Sequence, residues 1–114
     1  MTKNKPMIYE NKLLSYDRTG ELIDYNKFKE LICSEYSIIK RDMVGPFLVS
    51  TIWLGIDHNF GSVDGKKPII FETMVFEPPS AHDLHMERYS NEEEAIEGHE
   101  KMCELVREKK LNFK

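Results

Sequence analysis

The segment FLVSTIWLGI, residues 47–56, constrains the fold more than any other part of the chain because it is apolar almost throughout. Side chains of a β-strand point alternately to opposite faces. One face of this strand would hold Phe47, Val49, Thr51 and Trp53, and the other would hold Leu48, Ser50, Ile52, Leu54 and Ile56. A strand that is apolar on both faces is typical of the centre of a sheet, with both faces covered.

Further strands are predicted on either side of this segment. SIIKRDMV (37–44) precedes it across the turn residues Gly45 and Pro46, and PIIFETMVF (68–76) follows a turn-rich loop. LHMERY (84–89) follows the Pro78-Pro79 pair and adds a fourth strand. Near the start, residues 11–23 indicate a small hairpin around Asp17–Gly20. The pattern therefore predicts an antiparallel sheet of three to five strands.

Two helices complete the predicted fold. Asp24 is placed to cap a short helix across residues 25–36, with an apolar face that includes Cys33. Ser90 and Glu93 have the spacing of a capping box, which predicts a long helix over about 91–110. Its apolar stripe should lie on the sheet: Ala95, His99, Met102, Cys103 and Val106. Within that helix, Gly98 allows close packing against a strand. We predict a single α+β domain over residues 1–114, with residues 1–6 disordered.

Composition limits the classes of partner. The chain has 114 residues, and its acidic residues outnumber its basic residues 20 to 16. This balance argues against a protein that binds long nucleic acids, but a small anionic ligand needs only a few local donors. No apolar run approaches the roughly 20 residues that cross a bilayer, and the N-terminus has no signal-peptide pattern. We expect a cytoplasmic protein without membrane contact, cofactor or metal, with Cys33 and Cys103 reduced and buried.

Glu72 is the most unusual polar residue, because it lies at the centre of an apolar strand. Burying a carboxylate without a partner is costly, so Glu72 needs an opposite charge or a raised pKa. Arg88 on the next predicted strand and His99 on the long helix are the candidates. The pair could be purely structural or could form part of a ligand-binding or catalytic site.

Other polar and aromatic residues allow two interpretations each. Asp57 and His58 follow the apolar strand directly, where they could close a turn or contact a ligand; neighbouring residues in a strand face opposite ways, so they are not expected to form a dyad. Trp53 is either a core residue or a platform on which a planar ligand stacks. The HDLH segment, residues 82–85, presents at most two ligands on one side, and no metal site is predicted there.

The run VSTIWLGIDHNFG, KPIIFETMVFE and ERYSNEEEAIEGHEKM resembles a family of short proteins encoded by phages and prophages. The resemblance covers roughly residues 44–106, and it includes Asp57, His58, Glu72, Arg88, Tyr89 and His99. It carries no assigned activity. It implies an accessory protein of the host cytoplasm that counters host defences by binding, either by sequestering a nucleotide-type signal or by occluding a host protein.

Three functional hypotheses follow. The first is a binding module for a small anionic ligand or a host protein, in which exposed edge strands also allow a homo-oligomer. Its candidate ligand-binding residues are Trp53, Asp57, His58, Glu72, Arg88 and His99. The second is a small hydrolase that uses His58 or His99 as acid–base and Glu72 as the orienting carboxylate. The third is a structural or protein-interaction role. Catalysis is the less favoured of these, and no catalytic residue is assigned.

Overall fold

A computed structural model describes residues 14–58 and 67–111. This part of the chain has the predicted α+β fold, in which the main sheet is antiparallel with four strands. Its strands are β3 (Ile38–Val44), β4 (Phe47–Trp53), β5 (Phe71–Phe76) and β6 (His85–Tyr89), hydrogen-bonded in that order. The segment around β4 is therefore central in the sheet, as its apolar character predicts.

A small hairpin and a short helix precede the main sheet. The hairpin consists of β1 (Ser15–Tyr16) and β2 (Leu22–Ile23), and its turn is held by the Asp17 carboxylate, which accepts from the backbone of residues 19 and 21. Helix α1 (Tyr25–Ile32) starts at the predicted cap, since the Asp24 carboxylate accepts from the Lys27 N–H. The helix ends earlier than predicted because the Ser34 side chain caps a 3-10 turn at Glu35–Ser37.

The register of the sheet divides its residues between two faces. Thr51 lies opposite Thr73, and Ile52 lies opposite Glu72, which in turn lies opposite Arg88. We call the side that contains Thr51 the helix face. Its residues include Asp42, Val49, Thr51, Trp53, Phe71, Thr73, Val75 and Tyr89. We call the other side the open face: Arg41, Met43, Leu48, Ser50, Ile52, Glu72, Met74, Phe76, Met86 and Arg88.

Helix α2 (Glu92–Arg107) covers the helix face of the sheet. Its buried residues are those of the predicted apolar stripe: Ala95, His99, Met102, Cys103 and Val106. The predicted capping box at Ser90 and Glu93 is wrong by one residue. Asn91 has the extended backbone of an N-cap and accepts from the Glu94 N–H at 2.8 Å. The spacing Asn91–Glu94 satisfies the same capping chemistry as Ser90–Glu93, so sequence alone did not separate them.

Two apolar clusters form the core on the helix face. One joins Val49 and Val75 to the C-terminal half of α2, and the other joins Trp53 and Phe71 to Ala95, with α1 and the hairpin packed around it. No apolar residue of the open face belongs to either cluster of the described residues. The helix face of β4 is therefore covered as expected, whereas on the open face Ser50 and Glu72 are buried and the apolar residues around them are only partly buried.

Cys103 is buried as predicted, whereas the prediction for Cys33 is wrong because its thiol is exposed. Cys33 is the C-cap residue of α1, so it leaves the helix before the apolar face can include it. Tyr25, at the other end of α1, is 57% exposed. The predicted disorder of residues 1–6 concerns a segment outside the described residues. Neither helix in the described ranges combines the length and apolar character needed to cross a membrane.

An ion pair attaches the hairpin to the start of α2. The Arg18 guanidinium donates to both carboxylate oxygens of Glu92, at 2.8 and 2.6 Å, and also to the Tyr36 carbonyl. The hydrogen bond from Arg18 holds the pKa of Glu92 below its ordinary value of 4.5, although partial burial opposes this. Glu92 therefore stabilises the fold above the unfolded-state pKa, and this contribution disappears as the pH falls through the lower folded-state value.

We expect Glu92→Gln to make stability less dependent on pH. Between neutral pH and about pH 3, urea unfolding should show the wild type losing about 0.5–1 kcal/mol more than the variant, the range for a partly exposed pair. Glu93→Gln is the matched control, because Glu93 occupies the same first turn without an ion pair among the described residues. An identical pH dependence for all three proteins would contradict this assignment.

Gly98 permits the close approach of α2 to β6. A Cβ atom at this position would lie 2.3 Å from the Cε1 and Oη atoms of Tyr89. Glycine in a helix interior normally costs about 1 kcal/mol relative to alanine. Here the missing side chain is what allows the contact with the sheet.

We predict that Gly98→Ala destabilises the protein by about 1–3 kcal/mol in urea unfolding, because Tyr89 must move. The same substitution in a Tyr89→Leu background should instead be stabilising, since helix propensity then dominates. A stabilising effect of Gly98→Ala in the wild-type background would show that the contact with Tyr89 does not limit the packing of α2.

Candidate functional site

The structure separates the predicted site residues into four places, one of which is the apolar core that contains Trp53. His99 is buried between α2 and the helix face, whereas Glu72 and Arg88 form an ion pair on the open face. Asp57 and His58 follow β4, where the chain enters the loop. The six candidates therefore do not converge on one pocket. Glu72 cannot be the partner of His99, because Glu72 and Thr73 are consecutive strand residues and it is Thr73 that faces α2.

His99 lies in a hydrogen-bonded chain that crosses the helix face. Its Nε2 atom is 2.8 Å from the Asp42 carboxylate, and its Nδ1 atom is 2.7 Å from the Thr51 hydroxyl. The Thr51 hydroxyl also bonds to that of Thr73 on the adjacent strand. An ionised carboxylate only accepts, so Nε2 donates to Asp42, and in the neutral imidazole Nδ1 accepts from Thr51. Each polar atom of this buried chain is thereby satisfied.

The order carboxylate, imidazole, hydroxyl resembles that of a nucleophilic triad. A nucleophile must reach its substrate, however, and Thr51 is 0% exposed beneath α2, as are Thr73 and His99. No substrate can approach the hydroxyl while α2 stays in place. The arrangement is therefore suited to fixing α2 on the sheet and not to nucleophilic catalysis.

Tyr89 borders this chain from the edge strand β6. Its hydroxyl is buried over Gly98 and lies near Thr73, but it forms no hydrogen bond with any of the described residues. Burial raises the pKa of Tyr89, the Thr73 side chain opposes the rise, and Glu87 adds to it. The phenol therefore remains neutral at physiological pH and contributes packing to the contact between α2 and β6.

The Glu72–Arg88 ion pair lies on the open face and is partly exposed, unlike the buried chain around His99. The Arg88 Nε atom donates to a Glu72 carboxylate oxygen at 3.0 Å across β5 and β6. Glu72 is 4% exposed, whereas the Arg88 side chain is 39% exposed. The structure thus confirms Arg88 as the partner of the buried carboxylate. The two terminal nitrogens of Arg88 form no hydrogen bond within residues 14–58 and 67–111, so they can bind an anion from solvent.

Asp57 and His58 join the two ends of the loop between β4 and β5. The Asp57 carboxylate accepts from the Ile69 N–H, and the His58 N–H donates to the Ile69 carbonyl, each at 2.8 Å. The His58 ring nitrogen Nδ1 donates to the Ile56 carbonyl at 2.8 Å. These contacts favour the interpretation that Asp57 closes the turn over the interpretation that it contacts a ligand.

Trp53 is a core residue and not a stacking platform. It is fully buried, its indole N–H donates to the Tyr16 carbonyl, and its ring meets Tyr36 edge-on with centroids 4.9 Å apart. Phe28 of α1 completes its surroundings. The prediction that Trp53 could contact a planar ligand is wrong because no face of its ring reaches the surface.

Sequence reasoning missed a group of metal-ligand types around His99. Ligand atoms of Asp42, His99 and Cys103 lie within 4.8 Å of one another. His99 and Cys103 are four residues apart on α2, a spacing that places both on one side of a helix. Asp42 is 57 residues away from His99 and comes from β3. The HDLH segment, residues 82–85, contributes no residue to this group.

Comparisons with protein-family models, with curated proteins and with solved structures find no match to this chain.

The importance of the buried hydroxyl can be tested at Thr51. Thr51→Val keeps the shape of the side chain but leaves His99 Nδ1 without its partner, so it should cost about 1–3 kcal/mol in urea unfolding. Thr51→Ser keeps the hydroxyl and loses one methyl group, which should cost about 1 kcal/mol. A larger loss for serine than for valine would show that packing matters more here than the hydrogen bond.

Proposed function

We propose that this chain is a small accessory protein of the phage type that acts by binding, with the open face as its binding surface. The observation that supports this most directly is the Arg88–Glu72 pair: a buried carboxylate holds a partly exposed guanidinium on a face that neither apolar cluster uses. We infer that Arg88 receives the anionic part of a nucleotide-type ligand. Sequestering such a ligand would be a counter-defence activity.

The pair itself makes Arg88 a suitable anion receptor. Glu72 holds the guanidinium through Nε, which leaves its terminal donors available to a second partner. A side chain held in advance loses less rotational entropy when it binds. Arg41 is exposed on β3 of the same face and supplies further positive charge. This charge helps to compensate for the net charge of −4 of the chain.

The apolar part of the open face suits the remainder of such a ligand. Leu48, Ile52, Met74 and Phe76 are partly exposed around the ion pair. Ligand sites typically combine an apolar lining with a few fixed polar groups. The open face has this combination, and it matches a nucleotide, whose planar base can lie against apolar side chains while its phosphate group meets the guanidinium.

Occlusion of a host protein is the second candidate, and one observation favours it. The open face carries Met43, Met74 and Met86, of which Met43 is 59% and Met86 37% exposed. Flexible, polarisable methionines are frequent on surfaces that adapt to protein partners. The hydrolase hypothesis has no comparable support, because its proposed carboxylate Glu72 and His99 lie on opposite faces.

We expect ATP or cyclic di-AMP to raise the melting temperature of the purified protein in a thermal-shift assay. A ligand at 100 times its Kd stabilises by about 2.7 kcal/mol. Arg88→Lys keeps the positive charge beside Glu72 but lacks the planar fork, so it should retain the fold and weaken nucleotide binding at least tenfold. Arg107→Lys, on the exposed end of α2, is the matched control and should bind like the wild type.

Two results would count against this proposal. If neither nucleotide shifts the melting temperature of the wild type, the nucleotide part fails. If the shift is equal in Arg88→Lys and the wild type, the site is not on the open face. In the first case, a stable complex with a host protein that Met86→Glu disrupts without loss of thermal stability would support the second candidate.

A further inference from the structure

The trio Asp42, His99 and Cys103 brings a carboxylate, an imidazole and a thiol together on the helix side of the sheet, away from the open face. His99 and Cys103 lie on adjacent turns of α2, and both are buried. Asp42 faces them from the edge strand β3, and its side chain is 45% exposed. The inference below concerns this trio alone and does not rest on the proposed function.

We propose that the Asp42–His99–Cys103 trio binds one divalent transition-metal ion, and that Zn²⁺ is the ion its donors suit best. Oxygen, nitrogen and sulfur ligands are all ligands that Zn²⁺ accepts in proteins, and a fourth position would be open to water. A carboxylate and a thiolate together carry two negative charges. They would neutralise the ion, which lowers the cost of holding it in a largely buried place.

The surroundings of His99 support a ligand role. A metal-binding histidine is normally oriented by a hydrogen bond from its other ring nitrogen, and Nδ1 of His99 has such a bond to Thr51. When Nε2 binds the metal, Nδ1 carries the proton and donates to the Thr51 hydroxyl. Thr51 then donates to Thr73, because either hydroxyl of this pair can be the donor. The two hydrogen bonds that join His99 Nδ1, Thr51 and Thr73 thus persist after their direction reverses.

The distances require only a small rearrangement. Zn²⁺ takes ligands at about 2.0–2.3 Å, which puts the ligand atoms of a tetrahedral site about 3.3–3.8 Å apart. The trio atoms already lie within 4.8 Å of one another, and Nε2 is 2.8 Å from the Asp42 carboxylate. Asp42 has to move away from Nε2 slightly and towards Cys103. Its exposed position on an edge strand allows that movement and gives the ion a route from solvent.

Binding releases one net proton and breaks one hydrogen bond. The Cys103 thiol loses its proton to solvent, and the His99 proton moves from Nε2 to Nδ1 by exchange with solvent, so that the imidazole stays neutral. The Asp42 carboxylate exchanges its bond to Nε2–H for a bond to the ion. Burial raises the pKa of the Cys103 thiol, Asp42 and Glu100 raise it further, and Arg107 and Lys40 lower it. Lys40 also pairs with Glu100, so part of its positive charge is compensated there.

Cobalt titration of the reduced, chelator-treated protein tests the proposal. Co²⁺ takes the place of Zn²⁺, and a thiolate ligand gives it an intense near-ultraviolet charge-transfer band. We expect this band to saturate at one Co²⁺ per chain and to disappear when Zn²⁺ is added. Cys103→Ala should abolish the band. Asp42→Asn, at a partly exposed position that keeps a hydrogen-bond acceptor for Nε2, should weaken Co²⁺ binding at least tenfold.

Cys33→Ala is the matched control, because it removes the exposed thiol and leaves the trio intact; it should bind Co²⁺ like the wild type. Far-ultraviolet circular dichroism checks that each variant is folded. Absence of a thiolate band in the wild type overturns the proposal. So does a band that survives Cys103→Ala but is lost in Cys33→Ala, which would assign the ion to the surface thiol. Unchanged affinity in folded Asp42→Asn excludes the carboxylate as a ligand and overturns the trio as proposed.

Discussion

The burial of His99 against the centre of the sheet is the contact on which the rest of the structure depends. An imidazole removed from water needs a partner at each ring nitrogen. Helix α2 can therefore lie on the sheet only where Asp42 and Thr51 meet those nitrogens. This requirement sets both the rotation of α2 about its axis and its position along β4. Apolar contacts alone would leave that position less well defined, because they are not directional.

Residues from four separate segments of the chain meet around this contact. Thr51 belongs to VST, Thr73 to FETMVF and Tyr89 to RYS, while Gly98 and His99 belong to EGH. Hydrogen bonds join His99 to the two threonines, and the ring of Tyr89 packs on Gly98. The packing of α2 therefore accounts for the polar and small residues at these positions. Arg88 and Glu72 come from the same segments but point to the open face, where α2 does not account for them.

Periodicity was sufficient to predict the elements of the fold but not the partners of the polar residues. The central position of β4 and the buried stripe of α2 follow from apolar patterns that repeat over many residues. The choice between Arg88 and His99 as the partner of Glu72 depended on which face of β5 receives α2. Glu72 and Thr73 sit at the middle of that strand among apolar neighbours on both sides, so the pattern around them was the same for either choice.

The position of Asp42 shows how much further sequence reasoning could have gone. The two-residue turn Gly45-Pro46 makes Val44 and Phe47 partners, and counting outward from that pair places Asp42 opposite Val49. Asp42 thus lies on the face that α2 covers, next to the stripe that contains His99 and Cys103. The turn was recognisable from sequence. The pairing of Thr51 with Thr73 was not, because the long loop between β4 and β5 leaves their register open, and only the folded sheet brings the second hydroxyl to the chain that orients His99.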